Sequence, residues 1–369
     1  MDLTTIPTPA LVLDLSRLQA NANFMAARAR ALGVDLRPHV KTAKCAEVAR
    51  IATEGHSGGI TVSTLREGEY FFEHGFRDIT YAVGIAPRKL ERAFALIDRG
   101  ADLTLLTDSL AVASAIRDAV ARRAVTRPVK VLIEIDCGDG RGGLPPGSSE
   151  IVALADILGG TGCLVGVLTH AGHSYFGKGP DHIAEIAEAE RLAAVESALV
   201  LRDAGHEITR VSVGSTPTAT FARNLDGVTE MRPGVYLFGD LDQAELSTLP
   251  PERIAVTVLA TVIGSYDNRV VVDAGGLALS KDRGAGRHGY GVVTDIDGCE
   301  LPGATVAIAN QEHGIVHGVA RNRLNVGDRV RIVPNHICMT AGAHPGYYVV
   351  DGSRRVAARW PRVNGWEAW

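Results

Sequence analysis

The sequence predicts a chain of the α/β class, in which a parallel (β/α)8 barrel of the TIM type precedes an all-β domain. Up to about residue 245, eight short β-rich runs alternate with helical patterns, and such alternation produces parallel strands connected by helices. Eight units of this kind favour a closed barrel, with a doubly wound open sheet as the competing layout. Beyond that point, strand-like runs are joined by short turns and helical periodicity is absent.

The first barrel helix illustrates the helical pattern. Leu18, Ala22, Met25 and Ala29 fall on one face at helical spacing, and Gly33 ends the helix. The eight strand runs are VDLRPHV, GGITVST, DITYAVG, ADLTLLT, VKVLIEIDCG, CLVGVLTHAG, ITRVSVGS and VTEMRPGVYLFGD. Helical runs such as LREGEYFFEHG and PRKLERAFALIDRG separate them, and a long helix is predicted within residues 181–205.

Two consecutive prolines mark the change of pattern. Pro250 and Pro251, in LSTLPPER, interrupt regular structure. The strand runs that follow are RIAVTVLATVIGSY, RVVVDAGG, ATVAIAN, DRVRIVPNH and GYYVVDG. We therefore expect a barrel domain at residues 10–245 and a β-domain at residues 246–369, the latter including the extreme N-terminus.

Composition and charge exclude several classes of protein. Hydrophobic residues make up 46% of the 369 residues and charged residues 22%, as in a soluble globular protein. The net charge of −4 gives no basic surface for nucleic acid or an anionic membrane. No apolar run reaches the ~18 residues of a spanning helix, and the N-terminus lacks a signal-peptide pattern. An odd, scattered set of cysteines indicates reduced thiols and a cytoplasmic location: Cys45, Cys137, Cys163, Cys299 and Cys338.

Polar clusters close four of the predicted barrel strands. Chemistry in such barrels takes place at the carboxyl ends of the strands, so these clusters should form one mouth. The residues concerned are His39 and Lys41 after the first strand, residues 136–141 after the fifth, Thr169, His170 and His173 after the sixth, and Gly214, Ser215 and Thr216 after the seventh.

Lys41 is the candidate nucleophile of this mouth. In RPHVKTAK it lies among Arg37, His39 and Lys44, and like charges disfavour protonation of a lysine. A neutral lysine can form an imine with a carbonyl group. Phosphate binding, or an ordinary surface lysine at the end of a strand, are the alternatives.

A phosphate site is predicted at VSVGSTPTAT. Gly214 lets the backbone approach an anion, and the hydroxyls of Ser215 and Thr216 can hold a phosphate group. The segment MRPGVYLFGD adds Gly234 and Tyr236 as a second contact. A polar turn is the alternative, and the missing Walker lysine excludes a nucleoside triphosphate.

The run GDGRGG matches the dinucleotide fingerprint at Gly138, Gly140 and Gly143. The prolines of the following LPPGSS interrupt the helix that a dinucleotide fold requires, so we reject that interpretation. Arg141 remains as a cation near the mouth.

A metal site is predicted at PNHICMT. His336 and Cys338 are two positions apart at the end of a predicted strand, where they would share one face. Imidazole nitrogen and thiolate sulfur suit zinc, and two protein ligands leave positions for water or substrate. A buried cysteine beside a satisfied histidine is the alternative, and His313 in QEHG is a further candidate ligand or base.

Several motifs in this order resemble the fold-type III pyridoxal-phosphate enzymes, in particular the D-serine dehydratase, D-threo-3-hydroxyaspartate dehydratase and D-threonine aldolase family. They are TPALVLDL, LRPHVKTAK, GGITVSTLREGEY, LTHAGHSY, VSVGSTPT, GVTEMRPGVYLFGDL, VVDAGGLALSKDRG, NQEHGI and PNHICMTAG. The resemblance runs from about residue 7 to the terminal RVNGW. It implies an alanine-racemase-like barrel that binds pyridoxal 5'-phosphate, a β-domain that binds a divalent metal, and a homodimer.

The resemblance also implies roles for individual residues. Lys41 resembles the lysine of the internal aldimine, and Arg141 belongs to a motif near the pyridine ring. The residues beside the ring are His170 and Tyr175; those of the phosphate cup are Gly214, Ser215, Thr216, Gly234 and Tyr236; and the metal pair is His336 and Cys338. Ala43 stands where many members have histidine, which puts any mechanism that uses that histidine as a base in doubt.

The resemblance implies a lyase that converts D-β-hydroxy amino acids to a 2-oxo acid and ammonia, with zinc favoured over manganese by the thiolate. D-serine, D-threonine and D-threo-3-hydroxyaspartate are the expected substrates, and the sequence does not select among them. D-threonine aldolase is the alternative, but its His-x-Asp pattern differs from His-x-Cys here. An amino-acid racemase and a non-catalytic pyridoxal-phosphate-binding protein are less favoured.

Overall fold

The computed structural model describes residues 1–123, 127–283, 289–319 and 323–366. Contacts divide the chain into two units. The β-unit comprises Met1–Asn23, Thr42–Val48 and Val235–Asn364, and the barrel unit comprises Phe24–Lys41, Ala49–Gly234 and the chain from Gly365 onward. This division falls between Gly234 and Val235, and the domain boundary after residue 245 stays a prediction.

Elements are numbered along the chain. It begins with β1 (Ala10–Asp14) and α1 (Leu15–Ala31), and the buried face of α1 is the predicted one, with Leu18, Met25 and Ala29 all buried. The strands of the barrel unit are β2 (Asp35–Leu36), β3 (Ile60–Val62), β4 (Asp78–Gly84), β5 (Asp102–Thr107), β6 (Lys130–Ile135), β7 (Leu164–Thr169), β8 (Arg210–Val213) and β9 (Glu230–Met231). The helices that connect them are α2 (Ala46–Thr53), α3 (Leu65–Glu73), α4 (Leu90–Asp98), α5 (Leu110–Arg122), α6 (Ser149–Gly159), α7 (Pro180–Asp203) and α8 (Thr216–Phe221).

The eight strands form one parallel sheet in the order β2-β9-β8-β7-β6-β5-β4-β3. A parallel bridge between His39 and Thr61 joins the continuation of β2 to β3, so the sheet closes on itself. The predicted barrel is therefore confirmed. The regular strand at VDLRPHV is shorter than expected: Pro38 has no N–H to donate, although Arg37 and His39 still donate to the carbonyls of Met231 and Pro233.

The barrel unit contains an ion-pair network around the buried guanidinium of Arg37. Arg37 donates to both carboxylate oxygens of Asp78 and to Glu230, each at 2.8 Å. Burial opposes the charge of Arg37, but Glu230 and Asp78 outweigh it and raise the pKa of the guanidinium. The charge of Arg37 is therefore compensated within this network, and the expectation that like charges disfavour protonation of Lys41 stays a prediction.

The β-unit contains a strand at each of the five predicted runs and three further strands, Val292–Asp295, Gly314–His317 and Val356–Pro361, that the sequence patterns did not indicate. After α9 (Leu241–Glu245) these are β10 (Val256–Ser265), β11 (Val270–Val272), β12 (Val292–Asp295), β13 (Glu300–Ala309), β14 (Gly314–His317), β15 (Arg329–Val333), β16 (Gly346–Val350) and β17 (Val356–Pro361), with the short helices α10 (Gly276–Leu279) and α11 (Ile337–Gly342) among them. The sheet order is β11-β14-β13-β12-β15-β10-β1-β16-β17, and β10 also pairs with β11. Six strands therefore form a closed antiparallel ring, to which β1 adds beside β10. No helix in the described ranges is both long and apolar enough to cross a bilayer.

Candidate active site

A cavity of about 380 Å³ opens in the barrel unit at the carboxyl ends of the strands. Its volume lies within the ~300–1,000 Å³ of small-molecule sites. The lining residues are His39, Lys41, Ser63, Ala82, Val83, Gly84, Glu134, Arg141, Gly142, Leu168, His170, Gly214 and Arg232. The structure thus brings together five of the residues singled out from the sequence: His39, Lys41, Arg141, His170 and Gly214.

Lys41 reaches the cavity from a turn. The extended chain that follows β2 ends at the bridge between His39 and Thr61. The amide N–H of Val40, the next residue, donates to the carbonyl of Thr61 at 2.9 Å. Lys41 follows directly, with an exposed side chain that lines the cavity. A primary amine is thereby fixed at its backbone and free to reach a ligand.

His39 supplies a neutral imidazole beside Lys41. Burial, followed by the charges of Lys41 and Arg232, keeps the pKa of His39 well below its usual value. Its Nε2 lies 3.5 Å from the Ser63 hydroxyl, and among the described residues its buried Nδ1 has no hydrogen-bond partner. A buried polar atom without a partner is costly, so this ring favours a ligand that can hydrogen-bond to it.

His170 is a second neutral imidazole in the lining. Burial, followed by Lys41 and Arg141, lowers the pKa of His170 to about 3. Nδ1 lies 3.0 Å from the carbonyl oxygen of Gly214. Because a carbonyl only accepts, Nδ1 carries the proton and Nε2 keeps its lone pair.

The turn after β8 requires glycine. Gly214 has φ of +128°, and a Cβ there would lie 2.8 Å from the backbone nitrogen of Arg232. Ser215 then caps α8: its hydroxyl accepts the N–H of Thr218 at 3.2 Å, and its own N–H donates to the Thr218 hydroxyl at 3.1 Å. Ser215 and Thr216 are buried next to Gly214, outside the lining described above.

The other residues of the predicted cofactor site lie in different places. Gly234 packs against the carbonyl oxygen of His39, where a Cβ would approach to 2.6 Å. Tyr236 belongs to the β-unit, in the short helix Val235–Leu237, and burial raises the pKa of its hydroxyl. Tyr175 is half-buried in the short helix Gly172–Phe176 and is not among the lining residues of the described chain.

Sequence reasoning missed two charged residues of the lining. Arg232 is 4% exposed and donates to the Ser212 hydroxyl and to backbone carbonyls. Burial, reinforced by Asp108 and opposed by Arg141, raises the pKa of Glu134. Each left a signal in the sequence: Arg232 directly precedes Pro233 and Gly234, and Glu134 interrupts the apolar run VKVLIEI.

The predicted metal pair lies in the β-unit on a different element from the one expected. β15 ends at Val333 and α11 begins at Ile337, so the interpretation of His336 and Cys338 as neighbours on a strand face is wrong. His336 is the N-cap residue of α11 and Cys338 lies in the first helical turn. The helix starts here because the buried carboxylate of Asp240 accepts the N–H of Ile337 at 3.0 Å.

The cap geometry nevertheless brings the two side chains together, and they are hydrogen-bonded. Nδ1 of His336 lies 3.3 Å from Oδ2 of Asp240. Burial opposes the imidazolium, but hydrogen bonds to Asp240 and Cys338 outweigh it and raise the pKa of His336 to about 11. The surroundings of His336 thus stabilise positive charge between a carboxylate and a thiol. The same surroundings suit a metal cation that takes nitrogen and sulfur ligands.

The sulfur of Cys338 has a further neighbour. The hydroxyl of Thr42, the residue after Lys41, lies 2.9 Å from it. Within residues 1–123, 127–283, 289–319 and 323–366, no three His, Cys, Asp or Glu residues group as a metal site. His313 is exposed. A metal bound by His336 and Cys338 would therefore keep coordination positions for water or a substrate.

Comparison with known proteins places the chain in a family. Residues 13–242 match the alanine racemase N-terminal domain, and residues 255–350 match a serine dehydratase domain. The chain belongs to the fold-type III, alanine-racemase-like family that combines these two domains. It is 45% identical to D-threo-3-hydroxyaspartate dehydratase of Delftia sp. (strain HT23), with 99% of each chain covered. It is 31% identical to D-serine dehydratase of Dictyostelium discoideum, with 96% of each covered.

Solved structures give the same result. The D-threo-3-hydroxyaspartate dehydratase structure from Delftia sp. HT23 superposes with a TM-score of 0.95 at 44% identity, covering 99% of this chain and 100% of that one. The structure of a cysteine-to-alanine mutant of that enzyme, in the metal-free form, superposes with a TM-score of 0.94 at 44% sequence identity and with the same coverage. D-threonine aldolase of Arthrobacter sp is more distant, at 29% identity over 95% of this chain and 91% of that protein.

Proposed function

We propose that this protein is a lyase that removes water from D-β-hydroxy amino acids and yields a 2-oxo acid and ammonia. The observation that carries the proposal is the cavity in which Lys41 lies with two neutral imidazoles, His39 and His170. Full-length similarity to D-threo-3-hydroxyaspartate dehydratase and D-serine dehydratase supports it.

The cavity fits pyridoxal 5'-phosphate, for which Lys41 would supply the covalent attachment. When bound, this cofactor acts as an electron sink for negative charge that develops at the substrate Cα. We assign removal of the Cα proton to the amine of Lys41, which lines the cavity. His170 presents the Nε2 lone pair as a fixed acceptor, and Arg141 and Tyr175 would lie beside the ring.

A phosphate cup is proposed around the turn after β8. Gly214, Ser215 and Thr216 would form one side of it, and Gly234 and Tyr236 the other. The N–H groups of Gly214 and Ser215 already donate to Glu190 and to Thr218. The contribution of this turn would therefore come from hydroxyl groups and from the close approach that glycine permits.

We further propose that His336 and Cys338 bind a divalent cation, with zinc favoured over manganese because one ligand is a thiolate. The cation would polarise the β-hydroxyl of the substrate as a leaving group. Two solved mutants of D-threo-3-hydroxyaspartate dehydratase support this: a histidine and a cysteine two positions apart are replaced by alanine, and the cysteine mutant is in a metal-free form. His336 and Cys338 have the same spacing.

A homodimer is proposed as the assembled state. Leu277 on α10 and Met339 on α11 are 57% and 60% exposed, and the hydroxyl of Thr340 ties the two helices together through the carbonyl of Leu279. These two exposed apolar side chains, on helices that are tied together, support the proposal that this surface contacts a second copy of the chain. A cytoplasmic location agrees with the five unpaired cysteines. The partner is a small-molecule substrate, and the charge gives no reason to expect nucleic acid or membrane.

One incubation tests the reaction. The purified, cofactor-loaded protein is mixed with D-serine, D-threonine and D-threo-3-hydroxyaspartate, and 2-oxo acid, ammonia and glycine are quantified separately. Equal amounts of oxo acid and ammonia are expected from at least one substrate. Formation of glycine and an aldehyde would show that the protein is an aldolase and not a dehydratase. The aldolase is the second candidate because a D-threonine aldolase is a relative at 29% identity. If the L-enantiomer of the substrate is the sole product, the protein is a racemase. If no product forms, it is a non-catalytic binding protein.

A further inference from the structure

A buried carboxylate on α7 connects the loops on both sides of the cavity. Glu190 is 1% exposed. Its Oε1 accepts the Thr169 hydroxyl at 3.1 Å, the N–H of Ala171 at 3.1 Å and the N–H of Gly214 at 2.9 Å. Its Oε2 accepts the Thr218 hydroxyl at 2.9 Å. Thr169 and Ala171 belong to the end of β7 and the loop after it, Gly214 directly follows β8, and Thr218 lies in α8.

These bonds bracket His170. Thr169 and Ala171 are its neighbours in the chain, and both donate to the same oxygen atom of Glu190. Gly214 donates its N–H to that oxygen while its carbonyl faces Nδ1 of His170 at 3.0 Å. One carboxylate oxygen therefore fixes both the backbone that carries the imidazole and the peptide to which the imidazole donates.

We propose that Glu190 is the positioning residue that holds His170 as its Nδ1–H tautomer, so that the Nε2 lone pair is presented to the cavity. Glu190 does not line the cavity, and it acts through the two loop ends. The catalytic consequence rests on the proposed lyase function, but the tautomer of His170 does not.

A carboxylate suits this place because it only accepts hydrogen bonds. Four donors converge on Glu190, and a carboxylate has about four lone-pair positions for them. Glutamine could keep the arrangement, with its oxygen accepting three bonds and its amide donating to Thr218. Aspartate could not, because its side chain is shorter by one methylene and cannot reach both loops. Alanine would leave the N–H groups of Ala171 and Gly214 without their acceptor.

The test is nitrogen-15 NMR of the histidine rings in the protein without cofactor, with the His170 signals assigned by their loss in His170→Asn. Wild type and Glu190→Gln should show a protonated Nδ1 and an unprotonated Nε2. Glu190→Ala and Glu190→Asp should shift the population toward Nε2–H, the form that imidazole prefers in water. Glu188→Ala, on the same helix and paired at the surface with Arg191, is the matched control and should resemble wild type.

A folded Glu190→Ala or Glu190→Asp protein that keeps the wild-type tautomer would overturn the proposal. If the alanine variant does not fold, the aspartate variant decides. In the loaded enzyme, kcat should fall at least tenfold in Glu190→Asp with a smaller change in KM, and Glu190→Gln should restore it. Because the NMR result needs neither cofactor nor turnover, a failed lyase assay leaves this inference testable by itself.

Discussion

The carboxylate of Asp240 lies 3.3 Å from Nδ1 of His336 and accepts the N–H of Ile337 at 3.0 Å. Its other oxygen caps α9 through the N–H of Gln243 at 2.8 Å. A single side chain, fully buried, thereby starts two helices and orients the imidazole. With Nδ1 directed at a carboxylate, Nε2 is the nitrogen that can bind a cation. Carboxylates in this relation to a ligating histidine orient the ring and raise its basicity.

Asp240→Asn should therefore weaken zinc binding by about 10- to 100-fold, the usual loss when such a partner is removed. The asparagine oxygen can still cap α9, but its amide group would face the N–H of Ile337, so the melting temperature is measured alongside to monitor folding. Competition with a chromophoric chelator measures the affinity. Asp242→Asn is the matched control, because its carboxylate lies farther from the same nitrogen, at 3.9 Å. Equal zinc affinities in Asp240→Asn and wild type would contradict the assigned role.

Cys338→Ala should lose the metal and nearly all elimination of water, since the leaving hydroxyl loses its Lewis acid. Cofactor absorbance should persist because Lys41 belongs to the barrel unit. Exchange of the Cα proton should also persist, as it needs only Lys41 and the cofactor. Bound zinc, elimination rate and exchange are measured in parallel. Cys299→Ala removes an exposed cysteine and serves as control. Elimination at the wild-type rate in chelated or Cys338→Ala protein would favour the racemase.

Borohydride should fix pyridoxal phosphate to Lys41. Reduction converts a reversible bond between amine and cofactor to a stable one, and the labelled peptide is then identified by mass spectrometry. Lys41→Ala should take up no label, whereas Lys44→Ala should label as wild type does. Label found at Lys44 or at Lys281 would show that another amine carries the cofactor.

Ser215→Asp should lower the affinity for pyridoxal phosphate at least tenfold, because a carboxylate in an anion site repels phosphate. Asp and Asn are both good N-cap residues, so α8 can still start at this position in either variant. Ser215→Asn therefore controls for size and capping without the charge. Affinity is read from the absorbance of bound cofactor, and melting temperature monitors the fold. If the aspartate and asparagine variants bind equally well, Ser215 does not face the phosphate.

His170 should make the cofactor-free protein less stable in acid. Burial lowers its pKa from 6.5 to about 3 in the folded state, so between these values the unfolded chain binds more protons than the folded one. Stability should rise with pH across this window, at up to ~1.4 kcal/mol per pH unit from this group. Urea unfolding at several pH values should show a smaller slope for His170→Asn than for wild type. His317→Asn removes an exposed histidine and is the control. An unchanged slope in His170→Asn would mean that the ring is protonated in the folded protein.

Much of the fold could be predicted because periodicity and strand composition are local properties. The alternation of strand and helix along the first part of the chain favoured a parallel barrel over a doubly wound sheet, and strand ends such as His39, His170 and Gly214 were then expected to meet at one edge. Local patterns were less reliable near proline and caps. PNHICMT has the composition of a strand end, yet a distant carboxylate, Asp240, captures the N–H of Ile337 and starts a helix.

By itself, the sequence determined which elements form, the nucleophile candidate Lys41 and the histidine and cysteine that can share a cation. Only the tertiary structure showed which buried charged side chains hold the site residues in position. Glu190 shares the buried stripe of α7 with Ile183 and Ala194, where its charge looks like an exception to the apolar pattern. The role of Glu190 depends on donors at the end of β7 and after β8, which lie 19 to 28 positions away in the chain. Burial and pairing of charge arise between segments that are distant in the chain, so no local pattern can contain them.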